Sequence, residues 1–244
     1  MKRVAITYNY IHHYRVPLFN LLSKNKINNY TIISGLKSEI SIKKADTELS
    51  KKKPIEGGIN WRIIKNFWLI NRFLFQPYIL SFSFFKNYDT YIYLGNMYYI
   101  STWFSAIIAR ILGKKVIFWT HGFIREENNL IGFIRSVFYR IPSEILVYGQ
   151  RAKNILVSKG FDEEKIKLIY NSLDYTLQNN FFKNKKKIYD LFVNQQLGVI
   201  GFIGRLTKQK KIHLLIELLN SMSDENKFNL LIISLEFSAR PVKN

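Results

Sequence analysis

The residues best suited to chemistry lie late in the chain, in the run Val199-Ile-Gly-Phe-Ile-Gly-Arg-Leu-Thr-Lys-Gln-Lys-Lys-Ile-His-Leu-Leu-Ile-Glu217. It reads as a buried strand, a Gly-rich turn carrying Arg205 and Lys210, and an amphipathic helix. Gly201 and Gly204 admit a close approach of backbone to ligand, and a helix N-terminus offers free N–H groups at the positive end of its dipole. Arg205 can grip phosphate oxygens with a planar fork of donors, and Lys210 adds a point charge. Lysine at a helix start opposes the dipole unless an anion sits there. The chemistry that this pattern suits is the binding of a diphosphate.

Three other groups follow expected strands, where ligands bind in open parallel α/β sheets. His121 and Gly122 end the run Val116-Ile-Phe-Trp-Thr120. His12, His13 and Arg15 follow the first strand. Asn171, Ser172 and Asp174 follow Lys167–Tyr170. Plainer roles compete: a hydrogen-bonded turn histidine, surface histidines, and an Asx turn at Asn171-Ser172. Missing motifs narrow the chemistry further. There is no Asp-x-Asp pair or His/Cys cluster for a metal-bridged diphosphate, and no Gly-x-Gly-x-x-Gly for a dinucleotide. A Walker lysine and a Gly-x-Ser-x-Gly nucleophile elbow are also absent.

These groups need a scaffold, and the chain supplies alternating strand and helix signals. Strands are expected at Val4–Tyr8, Tyr30–Ser34, Trp61–Lys65, Thr90–Leu94, Val116–Thr120, Glu144–Tyr148 and Lys167–Tyr170. Helices are expected at Pro17–Lys24, across the aromatic run Asn66–Phe85, and at Tyr98–Leu112, Leu130–Tyr139 and Gln150–Lys159. Residues 37–58 read as a mobile loop. This alternation predicts an α/β fold, a doubly wound parallel sheet with helices on both faces. The first domain would span residues 1–178, a polar linker 179–196, and a second, incomplete α/β domain 197–244, with strands Gly198–Ile203 and Asn229–Ser234 around helix Lys211–Met222.

Composition sets outer bounds. Hydrophobic residues make up 48% of 244 positions, enough for a core. Cysteine is absent, which rules out disulfides and a thiol nucleophile and fits a reducing cytoplasm. The N-terminal apolar run is too short for a signal peptide. Net charge is +20, with 18 Lys and Arg against 5 Asp and Glu in residues 1–115. Such a half attracts polyanions: nucleic acid, an anionic membrane face or a phosphorylated substrate. The uncharged stretch Tyr91–Ala109 approaches spanning length but is broken at Gly95-Asn96 into strand and helix. Between Asn66 and Phe85, aromatic side chains lie beside Lys65, Arg72 and Lys86, a pattern suited either to a headgroup boundary or to packing on the sheet.

Taken together, several segments resemble glycosyltransferase family 4, the retaining sugar transferases of GT-B fold. Tyr10-Ile-His-His-Tyr-Arg-Val-Pro-Leu-Phe-Asn-Leu-Leu22 looks like the first loop and helix of bacterial members that build surface polysaccharide. Phe118-Trp-Thr-His-Gly122 is similar to the strand that ends in a histidine near the donor sugar, and Ile203-Gly-Arg-Leu-Thr-Lys-Gln-Lys210 to the donor diphosphate loop. Ile145 to Asp174 resembles the run that closes the first domain. The resemblance implies a nucleotide-sugar donor as co-substrate, no metal or other cofactor, and a saccharide or lipid-linked saccharide acceptor at the inner face of the membrane. His121 would act at the sugar, with Gly204, Arg205 and Lys210 on the diphosphate and His13, Arg15, Gly122, Asn171 and Ser172 on the substrates.

Two departures stand out. Lys211 occupies the place where the family usually has glycine, and Leu230-Leu-Ile-Ile-Ser234 runs into residues 235–244 with no match to the family's later acidic pair. A truncated transferase is therefore expected. The rival is a non-catalytic acceptor-binding or membrane-surface module. A charge-driven nucleic-acid binder is a third reading, which no recognisable motif supports.

Overall fold

The computed structural model describes residues 1–37, 43–70, 72–85, 88–171, 174–183, 192, 194–204, 206–222 and 227–234. It divides into two units, Met1–Leu177 and Gln178–Asn244.

The first unit is built on a seven-stranded sheet. In chain order its strands are β1 (Lys2–Tyr10), β2 (Asn28–Gly35), β3 (Trp61–Ile63), β6 (Thr90–Leu94), β7 (Lys115–Thr120), β8 (Glu144–Val147) and β9 (Ile166–Leu168). They lie side by side as β3-β2-β1-β6-β7-β8-β9, and every pairing is parallel. The seven consecutive buried residues Val4–Tyr10 of β1 show that both of its faces are covered.

Alternation along the strands sends side chains to two cores. Ala5, Tyr91, Tyr93, Phe118 and Val147 point to one face, where α3 (Ile100–Ile111), α4 (Leu130–Tyr139) and α5 (Gln150–Ser158) pack. Val4, Ile6, Ile32 and Trp119 point to the other, covered by α1 (Val16–Ser23) through Phe19. The expected α/β sheet with helices on both faces is present. Past α1, the second face is left open over β6, β7 and β8.

Local readings needed revision in four places. Residues 66–76 hold an antiparallel hairpin, β4 (Phe67–Leu69) and β5 (Phe73–Phe75), in place of helix, which starts only at α2 (Pro77–Phe85). Phe-Trp-Leu and Phe-Leu-Phe are strong strand formers, and Ile70 at φ 50° turns the chain. The segment read as a mobile loop folds, from residue 43 on, over α1. Ala45 N–H donates to Ile11 C=O at 2.8 Å, and Asn20 Nδ2 holds Pro54 C=O at 2.9 Å. The last strand stops at Leu168, because Tyr170 takes φ 55°. Part of the expected linker is helix α6 (Tyr175–Lys183), where the Asp174 carboxylate accepts from Leu177 N–H at 3.0 Å. Residues 184–191, the Lys-rich part of that linker, fall outside the described residues, as does Lys86.

A hydroxyl network fastens α2 on α3. Tyr93 OH, fully buried, lies 2.7 Å from Ser105 Oγ and 3.2 Å from Ser83 Oγ. Burial keeps its proton on by raising its pKa.

The second unit has β10 (Val199–Ile203) and β11 (Asn229–Ile233), a parallel pair, with α7 (Ile212–Ser221) between them in sequence. None of its described residues is buried, as expected of two strands and one helix, too few to enclose a core.

Candidate functional site

The C-terminal ends of β1, β7 and β8 converge because β1 and β8 are separated only by β6 and β7. Past β1, the chain turns through a short 3₁₀ segment at His13–Arg15 into α1, with Pro17 in the first turn. That turn folds Arg15 back over the sheet, where it is only 6% exposed. Its guanidinium carbon lies 5.5 Å from the Trp119 ring and 5.6 Å from that of Tyr148, and Nη2 donates to Tyr148 OH at 3.2 Å. Among the described residues no carboxylate pairs with Arg15, and its Nε has no partner. Three more buried polar atoms nearby in sequence or sheet position are unpartnered: Asn9 Oδ1, His12 Nδ1 and Trp119 Nε1. A desolvated cation held by aromatic rings without a counter-charge is costly unless an anion completes it.

His121 follows β7 and stands beside this arginine. One edge of its ring is open, and the other lies against Tyr148 with centroids 4.6 Å apart. Partial desolvation and the Arg15 charge lower its pKa, so it is neutral at pH 7 and can donate or accept a hydrogen bond. Gly122 takes φ 64°, and a Cβ there would lie 3.2 Å from that of Ala152. Its N–H donates to Thr120 Oγ1 at 3.1 Å, and its C=O accepts from Tyr139 OH at 3.3 Å. These bonds fix the turn that presents His121.

His12 and His13 separate. The His13 ring is exposed, and Nδ1 faces Lys43 C=O at 3.1 Å, so its geometry ties down the 43–45 segment. His12 instead enters the aromatic group, 4.3 Å from Tyr10 and 5.0 Å from Tyr14. Burial, then Arg15, then His13 push its pKa down to about 4. The unfolded chain, near 6.5, therefore takes up this proton first as pH falls. Stability should be complete above pH 6.5 and decline toward pH 4, by on the order of 1 kcal/mol once half-exposure is allowed for. Thermal melts across that range should show the decline, and His12→Gln should flatten it.

The open face of the sheet beside Arg15 forms an apolar trough of about 690 Å³, with Ile92, Trp119 and Leu146 on its floor and Tyr170 and Asp174 at its margin. Its volume is in the range of ligand pockets. Asn171 lies at the surface next to this margin in sequence. Ser172 is outside the described residues. Sequence reading missed Tyr148 and Trp119, whose apolar runs read only as strand; their aromatic faces beside an arginine were the available signal.

In the second unit, Gly204 follows β10 with φ 156°, and its N–H donates to Ile233 C=O at 3.0 Å. Lys210 closes a 3₁₀ turn at Lys208–Lys210 and is exposed, one residue ahead of the N-cap of α7. Lys211, at the position where the resemblance calls for glycine, takes the left-handed φ of 48°. Arg205 is outside the described residues. Thus His121, Gly122 and Arg15 share one region of the first unit, while Gly204 and Lys210 share one turn of the second. No group of three His, Asp or Glu able to hold a metal occurs among the described residues.

Comparison with family models and with curated proteins gives no match. Solved structures do match. HepE of Anabaena, in complex with UDP and glucose, superposes with a TM-score of 0.60 at 14% identity, over 97% of this chain and 62% of that one. A putative UDP-N-acetylglucosamine 2-epimerase from Listeria monocytogenes gives 0.58 at 14% identity, over 99% and 64%. The lipopolysaccharide outer core galactosyltransferase WaaB gives 0.57 at 14%, over 95% and 60%. The chain thus spans less than two thirds of the length of each of these three. At such identities the likeness establishes architecture, and the chain has the Rossmann-like α/β fold that GT-B glycosyltransferases share with the UDP-GlcNAc 2-epimerases.

Proposed function

We propose that this chain is the greater part of a glycosyltransferase. It moves a hexose-like sugar from a nucleotide-sugar donor to a saccharide or lipid-linked saccharide in polysaccharide biosynthesis, with retained anomeric configuration and without a metal. The observation that carries this reading is Arg15, a buried guanidinium with no carboxylate partner among the described residues, beside the neutral His121 at the carboxyl edge of the sheet. Support comes from the fold, which is shared with proteins solved in complex with UDP and UDP-glucose, and from the phosphate chemistry of the Gly204–Lys210 turn.

In this reaction the bond from the anomeric carbon to the diphosphate breaks, a bond to the acceptor hydroxyl forms, and the hydroxyl proton leaves toward the diphosphate. Arg205 and Lys210 neutralise charge growing on the diphosphate, the electrostatic work that dominates such steps. His121, neutral, orients the sugar through its hydroxyls. Arg15 holds an anionic group of the acceptor, and the apolar trough beside it suits a lipid portion. Gly122, Asn171 and Ser172 are assigned to substrate binding by the resemblance alone. The reaction takes place on the cytoplasmic side, where nucleotide-sugars are made.

Titration calorimetry with UDP, GDP and their sugar forms tests the donor site. Wild-type protein should bind one of them, and Arg205→Ala should weaken that binding at least about tenfold. A folded protein that binds none of them overturns the transferase reading for this chain. It would favour an acceptor-binding module, since the Arg15 region lies wholly within residues 1–177.

A further inference from the structure

Helix α3 is amphipathic in the reverse sense, and α4 exposes a second apolar stripe. α3 packs on the molecule through Ser101, Thr102, Ser105, Ala106 and Ala109, all buried. Its large side chains face out: Phe104 is 56% exposed, Ile107 42% and Ile111 78%. These recur at helical spacing and form one stripe. α4 turns Phe138 and Tyr139 to the core but also leaves large apolar side chains outside, with Leu130 73% and Phe133 65% exposed and Ile134 and Val137 beside them. Water selects the opposite order, small and polar outside, large and apolar inside.

The two stripes belong to one surface. Strands β6, β7 and β8 are consecutive neighbours, so right-handed crossovers place α3 and α4 side by side on the same face. Trp103 of α3 and Phe138 of α4 meet with ring centroids 4.8 Å apart. The exposed apolar residues are thus clustered on two neighbouring helices, unlike those scattered singly over an ordinary surface.

Charge identifies what covers it. From Thr90 to Arg125 there is no acidic residue, and from Leu130 to Ser143 none either. Arg110, at the end of α3, and Arg140, the C-cap of α4, are both exposed. An apolar surface on two helices that themselves carry cations and no carboxylate, with Glu126 and Glu127 confined to the loop ahead of α4, complements a layer with an anionic surface and an apolar interior. No described helix is long and apolar enough to cross a membrane. We infer that the α3–α4 face is a bilayer-docking surface. It lies flat on anionic lipid with Phe104, Ile111, Leu130 and Phe133 inserted between headgroups and with Arg110 and Arg140 at phosphate level. This surface is distinct from the aromatic segment 66–85, whose sequence suits either a headgroup boundary or packing on the sheet, and it does not depend on the transfer reaction.

Flotation of the full chain with vesicles tests the inference. Wild-type protein should float with phosphatidylcholine–phosphatidylglycerol vesicles, and less so as salt is raised. The double variant Phe104→Ser, Phe133→Ser should partition at least about tenfold more weakly. Both positions are at the surface, so circular dichroism and melting should match wild type. Leu21→Ser, which removes an equally exposed apolar side chain on α1, should float like wild type. Flotation of the double variant equal to that of wild type overturns the proposal. So does a failure of wild-type protein to float, including the case in which the chain self-associates in solution and the double variant does not.

Discussion

Arg15→Met should lower kcat/KM for sugar transfer by about 100-fold and leave the melting temperature unchanged or raised. Two physical arguments separate the effects. Arg15 is buried against Trp119 and Tyr148 with Nε unpartnered, so the empty site carries a desolvation cost that no ion pair offsets. Methionine keeps the apolar stem in place and removes that cost. An anionic ligand, in contrast, loses a charge-assisted hydrogen bond in a dry site, where each is worth about 1.5–3 kcal/mol, and loses the orientation that the fork imposes. Arg15→Lys should rescue little, because a point charge does not reproduce a planar fork. The pH profile supplies a further readout. Arg15 lowers the pKa of both His12 and His121, so its removal should move the acid limb of the rate profile upward. Wild-type kinetics in Arg15→Met would end its assignment as an anion-binding group.

Phe138→Ala is expected to be the most destabilising single change in the first unit. The side chain is fully buried and lies 4.5 Å from Phe118, 4.8 Å from Trp103 and 5.7 Å from Tyr139, centroid to centroid. It therefore joins β7, α3 and α4 at one point. Truncation should cost about 3–5 kcal/mol and lower the melting temperature by roughly 6–20 °C. Tyr139 holds the Gly122 carbonyl, so the turn that presents His121 should loosen as well. A loss below about 1 kcal/mol in chemical denaturation would mean that this junction collapses around the gap.

The parallel sheet was legible because each strand is a short, densely apolar run set off by a helical period. The strand and helix on either side of the Gly204–Lys210 turn were legible for a different reason, since glycine after a short apolar run marks the end of a strand. The hairpin at 67–75 was not. A run of aromatic residues has no period that distinguishes strand from helix, and the hairpin is fixed by the left-handed Ile70 and by distant partners, Asn66 Nδ2 donating to Asn9 C=O and Leu74 N–H to Tyr98 C=O. The resemblance put His13 on the substrates, but a single residue of register, which sequence does not resolve, decides that His12 enters the aromatic group and His13 faces Lys43. The exposed faces of α3 and α4 were hidden for a related reason. Hydrophobic period gives a stripe, but small side chains such as Ser105 and Ala106 decided which side met the sheet.

The strand order also constrains how the chain acquires its structure. β1 is flanked by β2 and by β6, so Val4 pairs with Tyr30 on one side and with Thr90 on the other. During synthesis one edge of this apolar strand stays without its partner until residues past Leu94 have emerged. With every contact in the sheet parallel, none can form by a tight local turn, so folding should be slow for the size of the unit. Until β6 arrives, the first strand is the segment most open to mispairing with another nascent chain, and early occupancy by a chaperone should be concentrated there.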